Sequence, residues 1–187
     1  ALKHLHTRWA IVAQFFYVGA QVCVTSFFIR VAMSGGGADE ITAGKYLSAY
    51  GLLFMLGRFL GSILMRFIDA ALLLTIYSLI SITMCTIAIF TDGQYVVVAL
   101  GGLGFFMSIM FPTIFSLSLT GLGERKPQAS GILCTAIVGG AIIPPLYGLL
   151  TDQFDFKPAL FLMILCYFYI FYFARKSNGF IASFSEK

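Results

Sequence analysis

Gln14, Tyr17 and Gln21 stand at offsets of three and seven inside the apolar run AIVAQFFYVGAQVCVTSFFI. On a helix advancing about 100° per residue they lie within about 60° of one another and form one polar stripe. An amide turned toward hydrocarbon leaves its donors and acceptor unsatisfied, which is costly. The stripe must therefore face other helices or a water-filled cavity. Two readings follow. The side chains bond neighbouring helices together, or they line a polar ligand site, where two amides and a phenol suit a polyhydroxyl compound. Tyr46, Tyr50 and Phe54 share a second face at i, i+4 and i+8, a spacing that suits stacking on a sugar ring and ordinary packing alike. Covalent and metal chemistry have no such foothold. Cys23, Cys85, Cys134 and Cys166 fall in separate apolar runs without ligand spacing, and His4 and His6 have no further ligand nearby. No clustered nucleophile, base or carboxylate pair occurs, so we expect no enzyme, catalytic residue, metal or cofactor.

The elements that position these side chains are membrane spans. Of the 187 residues, 59% are hydrophobic and only 11% charged, with a mean hydropathy of +0.93. Soluble domains are about a quarter charged. A span needs about 20 apolar residues, so the length allows about six with short connections. The expected spans are residues 9–33, 43–65, 71–90, 95–119, 129–150 and 158–174. Residues 1–8 and 175–187 are left as a cytoplasmic segment and a partly irregular cytoplasmic tail. The chain starts at Ala1 rather than Met, and we read it as a fragment or processed piece. The net charge of +4 is assigned to loop lysines and arginines facing cytoplasm and anionic lipid, not to nucleic acid.

Several spans carry machinery where an anchor would carry leucine. Gly57 and Gly61 make a GxxxG pair that lets backbones approach. Arg58 between them either snorkels toward the interface shared with Arg66 or pairs with an ion-pair partner elsewhere. Pro112 removes a backbone hydrogen bond in the fourth span and should open it locally. In the fifth, Gly131, Thr135 and Gly139 form a ridge spaced by four, followed by Gly140, Pro144 and Pro145. The proline pair predicts a bend and a pivot. Spans three and six are the plainest.

Six spans put both termini on one side, together with Lys3, Arg8, Arg66, Arg125, Lys126, Arg175, Lys176 and Lys187. The other side holds Arg30, Lys45 and Lys157 among Asp39, Glu40, Asp92, Asp152 and Asp155. The positive-inside rule places the termini in the cytoplasm. Polar or broken spans (one and four), small-residue ridges (two and five) and plain spans (three and six) recur as triads. Two units of three crossings must be inverted with respect to each other, the 3+3 repeat of a major facilitator half.

The motifs AQFFYVGAQ, FFIR, LGRFLG, FMSIMFPTIFSLSLTGLG and SGILCTAIVGGAIIPPLYGLLTD, in this order, resemble the C-terminal half of the fucose/glucose/galactose permeases of the major facilitator superfamily, from Arg8 to about Ala174. The resemblance implies an all-α membrane protein, one half of a 12-helix fold, that carries a monosaccharide by proton-coupled alternating access in a bacterial inner membrane. Its partners would be the sugar, the lipid bilayer, a proton, and an N-terminal six-helix half in cis or a second copy. It implies sugar contacts at Gln14, Tyr17 and Gln21, with Phe111 on the opposite wall. The L-fucose transporter has a tyrosine before the equivalent proline where this chain has Phe111, which counts against L-fucose and leaves glucose or galactose open. The loop after span two has Met65 before Arg66, without the acidic residue of the superfamily's signature. The family's proton-coupling carboxylates belong to the other half, and no Asp or Glu lies well within a span here. Two alternatives stay open: a facilitator for another small solute, and a membrane assembly subunit with no transport of its own.

Overall fold

Turn chemistry cuts the chain into its helices. Gly37 and Gly93 take positive φ, a conformation cheap only without a β-carbon, in the turns after the first and third spans, which meet where the Gly93 N–H donates to the Gly35 carbonyl at 3.0 Å. Asp69 caps the third span, its Oδ1 accepting from the backbone N–H groups of Ala71 (2.9 Å) and Leu72 (3.2 Å). The structure, a computed structural model, describes the backbone of residues 5–185 and the side chains of residues 6–179. Lys3 and Lys187, assigned to the terminal side above, and His4, considered above as a metal ligand, lie outside the described side chains.

The helices are α1 (Leu5–Ser34), α2 (Glu40–Leu64), α3 (Ala70–Phe90), α4 (Gln94–Met107), α5 (Met110–Leu119), α6 (Lys126–Thr135), α7 (Gly139–Phe154) and α8 (Phe156–Ser185). Six stretches are long and apolar enough to cross a membrane, with α4 and α5 forming the fourth and Gly123–Phe154 the fifth. All regular elements among the described residues are helical. The chain is an all-α integral membrane protein.

Packing repeats as the triads require. α7 lies on α1 as α2 lies on α4, α8 lies on α1 as α3 lies on α4, and α3 and α8 pack on each other where the two triads meet. Glycines make both joints. A β-carbon at Gly139 would fall on the Phe15 backbone, and one at Gly57 on the Phe105 carbonyl and Ser108 Oγ. Gly61 meets Ile109, Gly19 meets Ile143, and Gly104 meets Tyr50. Small residues here serve backbone approach, the usual basis of helix association in lipid.

Three expectations change. The helix in span four does break near Pro112, at Ser108–Ile109. The position follows from the chemistry, because proline lacks the N–H that would return to the carbonyl four residues back, Ser108. In span five the interruption is a 3₁₀ turn at Ala136–Val138, ahead of Pro144 and Pro145, and α7 continues through both prolines. A β-carbon at Gly131 would meet nothing, so the ridge narrows to Gly139 and Gly140, the latter against Val18 and Val22. The tail is also regular, because α8 runs without a break past Ala174 to Ser185.

Ion pairs tie helix ends at one end of the bundle: Arg30 of α1 to Asp152 of α7, and Lys157 of α8 to Asp92 in the turn before α4, both at 2.7 Å. The first is solvent-exposed on both sides, at 55% and 61% of side-chain area. Exposed pairs contribute little. Asp152→Asn is accordingly expected to change unfolding free energy by less than about 1 kcal/mol, measured by thermal unfolding in detergent.

Candidate functional site

The polar stripe of α1 is divided by the structure. Gln21 and Thr25 open onto a groove of about 380 Å³ between α1 and α2, whose far wall is Leu47, Tyr50, Gly51 and Phe54. That volume is in the range of small-molecule sites. Thr25 donates its hydroxyl proton to the Gln21 carbonyl at 2.7 Å, which leaves the oxygen's lone pairs toward the groove as acceptors. The Gln21 amide makes no hydrogen bond among the described residues and can both donate and accept. Tyr50 supplies an aromatic wall, braced by Phe28 at 5.6 Å and Phe54 at 6.4 Å between ring centroids. Behind it lies a second cavity of about 370 Å³, bounded by Phe28, Tyr46, Tyr50, Gln94, Gly101 and Gly102. An amide, a hydroxyl and aromatic faces around such a groove match a ligand with hydroxyls on one side and C–H faces on the other.

Gln14 and Tyr17 do not line this groove. Tyr17 is fully buried, and its hydroxyl donates to the Met107 carbonyl at 2.8 Å. Its ring meets Phe111 edge-on at 6.2 Å, and Phe111 stacks on Phe115. The structure thus brings Tyr17 and Phe111 together across α1 and α5 but apart from Gln21. Gln14 is fully buried with neither amide atom hydrogen-bonded among the described residues. The stripe is thus split: Tyr17 bonds helix to helix, and Gln21 faces a cavity.

Of the residues assigned to structure or gating, Gly57, Gly61, Gly139 and Gly140 sit at the helix joints, and Pro112 follows the break in span four. Pro144 is buried and Pro145 exposed within α7, and Arg58 is exposed on α2. At the terminal end of the bundle, His6 Nε2 lies 3.1 Å from the Leu117 carbonyl and its ring stacks on Phe173 at 5.4 Å. Lys176 Nζ sits 5.9 Å over the Trp9 ring, a cation–π contact joining α8 to α1. Thr25 was missed in the sequence, although its place four residues after Gln21 puts it on the same face. Met107 carried no signal there at all.

No family model matches the chain. It is 41% identical over 179 residues to a putative glucose/galactose transporter of Helicobacter pylori (strain ATCC 700392 / 26695), covering 93% of this chain and 44% of that protein. It is 40% identical over 172 residues to the glucose/galactose transporter of Brucella abortus biovar 1 (strain 9-941), covering 91% and 42%. The L-fucose-proton symporter of Escherichia coli (strain K12) is 38% identical over 172 residues, covering 91% and 39%. These relatives are named as transporters, and the chain spans less than half the length of each. Among solved structures it superposes on FucP, a major facilitator superfamily transporter in the outward conformation, with a TM-score of 0.89 and 36% identity over 92% of this chain and 42% of that one. A second structure of the E. coli fucose:proton symporter FucP gives 0.91 over 94% and 43%. The fold is that of one half of a major facilitator transporter. The chain belongs to the fucose/glucose/galactose permease family.

Proposed function

We propose that this chain is the C-terminal half of a monosaccharide transporter and that the groove between α1 and α2 holds part of the sugar. The observation that carries the reading is the convergence of Gln21, Thr25 and Tyr50 on one sugar-sized space in a member of this permease family. Sugar hydroxyls exchange hydrogen bonds with the Gln21 amide and the Thr25 oxygen, and the C–H face of the ring lies on Tyr50 or Phe54. Phe111, without a hydroxyl, favours glucose or galactose over L-fucose.

Transport needs a second six-helix half, in cis or as another copy, so that the two rock about the sugar. Proton coupling falls to carboxylates of that other half, since the spans of this one carry none well inside. The distribution of lysine and arginine supports cytoplasmic termini in a bacterial inner membrane.

In the full-length transporter, Gln21→Ala is expected to raise the half-saturating concentration of glucose or galactose about tenfold, the effect of about 1.4 kcal/mol of lost hydrogen bonding. Uptake into proteoliposomes measures it, and unchanged kinetics would sink the groove assignment. The same uptake assay, run with competing solutes, separates a sugar carrier from a facilitator of another compound.

A further inference from the structure

Met107 is where four of the six spans meet through polar atoms. Its carbonyl accepts from Tyr17 of α1 at 2.8 Å. Its sulfur accepts from Tyr50 of α2 at 3.4 Å and, more weakly, from Tyr167 of α8 at 3.7 Å. All four side chains are buried. Met107 is also the last residue of α4, so its carbonyl belongs to the set that a helix end leaves unpaired. The break at Ser108–Ile109 begins at the next residue. A leucine would fill the same space, but only a thioether offers a sulfur acceptor to two phenols.

Tyr50 has a second position to hold. Its ring is the wall shared by the groove of Gln21 and Thr25 and the cavity on its other side. The phenol that closes this wall is tethered to the residue that ends α4. Gly104, one turn earlier on α4, lies directly against Tyr50, so no side chain cushions the two helices there.

We propose that Met107 is a positioning residue that couples the break in span four to the groove. Through its sulfur it sets the Tyr50 ring between the two cavities. Through its carbonyl it sets the height of the broken helix end against α1. Displacement of that end shifts Tyr50 and changes the depth of the groove. The proposal rests on the reading of the groove as a sugar site only for its effect on affinity, not for its effect on the wall.

The test uses the full-length transporter with Cys134→Ser, since Cys134 is exposed, and with Thr25→Cys as a reporter in the groove. Met107→Leu keeps volume and removes the sulfur acceptor, Tyr50→Phe keeps the ring and removes the donor, and both are combined. The rate of labelling by a small maleimide is measured for each. Half-saturating concentrations of glucose, galactose and L-fucose are measured with Thr25 intact. Each single change is expected to speed labelling and raise the half-saturating concentration roughly threefold to tenfold. The pair together should do no more than the stronger single change, because Met107→Leu already removes the bond that Tyr50→Phe removes, along with the weaker one from Tyr167. Unchanged labelling, or effects that multiply in the double variant, would overturn the coupling. Coupled labelling with no change for any of the three sugars would uphold the tether and overturn the sugar reading instead.

Discussion

Gly139→Ala is expected to lower the stability of the full-length transporter by about 2–3 kcal/mol, although alanine is the better helix former by about 1 kcal/mol. The added methyl lands on the Phe15 backbone of α1. A side chain in that place could rotate away, whereas a carbonyl moves only with its helix, so α1 and α7 must separate along their contact. Gly57→Ala repeats the experiment at the symmetry-related joint, where Phe105 and Ser108 are in the way. Gly101→Ala and Gly131→Ala are the controls, because nothing lies within van der Waals reach of either β-carbon. They should fall within about 0.5 kcal/mol of the parent or gain slightly from helix propensity. Thermal unfolding in detergent, with folded yield from size-exclusion chromatography, reads all four. Equal stability of the Gly139 and Gly131 variants would refute the joint.

Gln14→Met should move stability the other way. The amide of Gln14 is wholly buried and neither of its polar atoms has a partner among the described residues. A buried amide without hydrogen bonds costs about 1–3 kcal/mol on the evidence of mutational series, and methionine fills nearly the same volume without that cost. The variant is expected to gain stability of that order in the same unfolding assay. A loss of stability would mean that the amide is satisfied and the packing around it differs. Native proteins rarely tolerate such a group, and a functional reason is the usual explanation. If Gln14 reaches sugar in another conformation of the transporter, the stabilised variant will also bind glucose or galactose more weakly. The two readouts together separate a ligand contact from a packing defect.

The parts legible in the sequence are those governed by local rules. Span positions follow from the length of apolar runs, and the break before Pro112 follows from the N–H that proline lacks. The polar stripe of α1 was visible from periodicity, but periodicity gives a face and not what the face meets. Tyr17 and Gln21 are nearly aligned, yet α4 packs against Tyr17 through the Met107 carbonyl, while the space between Gln21 and α2 stays open as a groove. The ridge in span five overreached because spacing gives a face and not its neighbour: Gly131, Thr135 and Gly139 are equally spaced, but of the two glycines only Gly139 lies against the α1 backbone. The proline pair misled because its effect is set by upstream carbonyls and by neighbouring helices, which local sequence does not describe. Met107 was invisible, since its three phenols come from spans that only tertiary structure assembles.

The seating of α1 bears on how the chain is made. Its hydrogen-bonding partners come late: Tyr17 waits for Met107, 90 residues on, and His6 for Leu117, 111 residues on. Its glycine joint waits longer, for Gly139 and Ile143. The first of these six spans is therefore among the last of them to be packed, and until then it holds an unpaired glutamine. Such high contact order favours slow assembly and exposes intermediates. Nascent chains halted after span three would hold α1 without the helices that bury it. These are the forms that a membrane chaperone or quality-control protease would meet first.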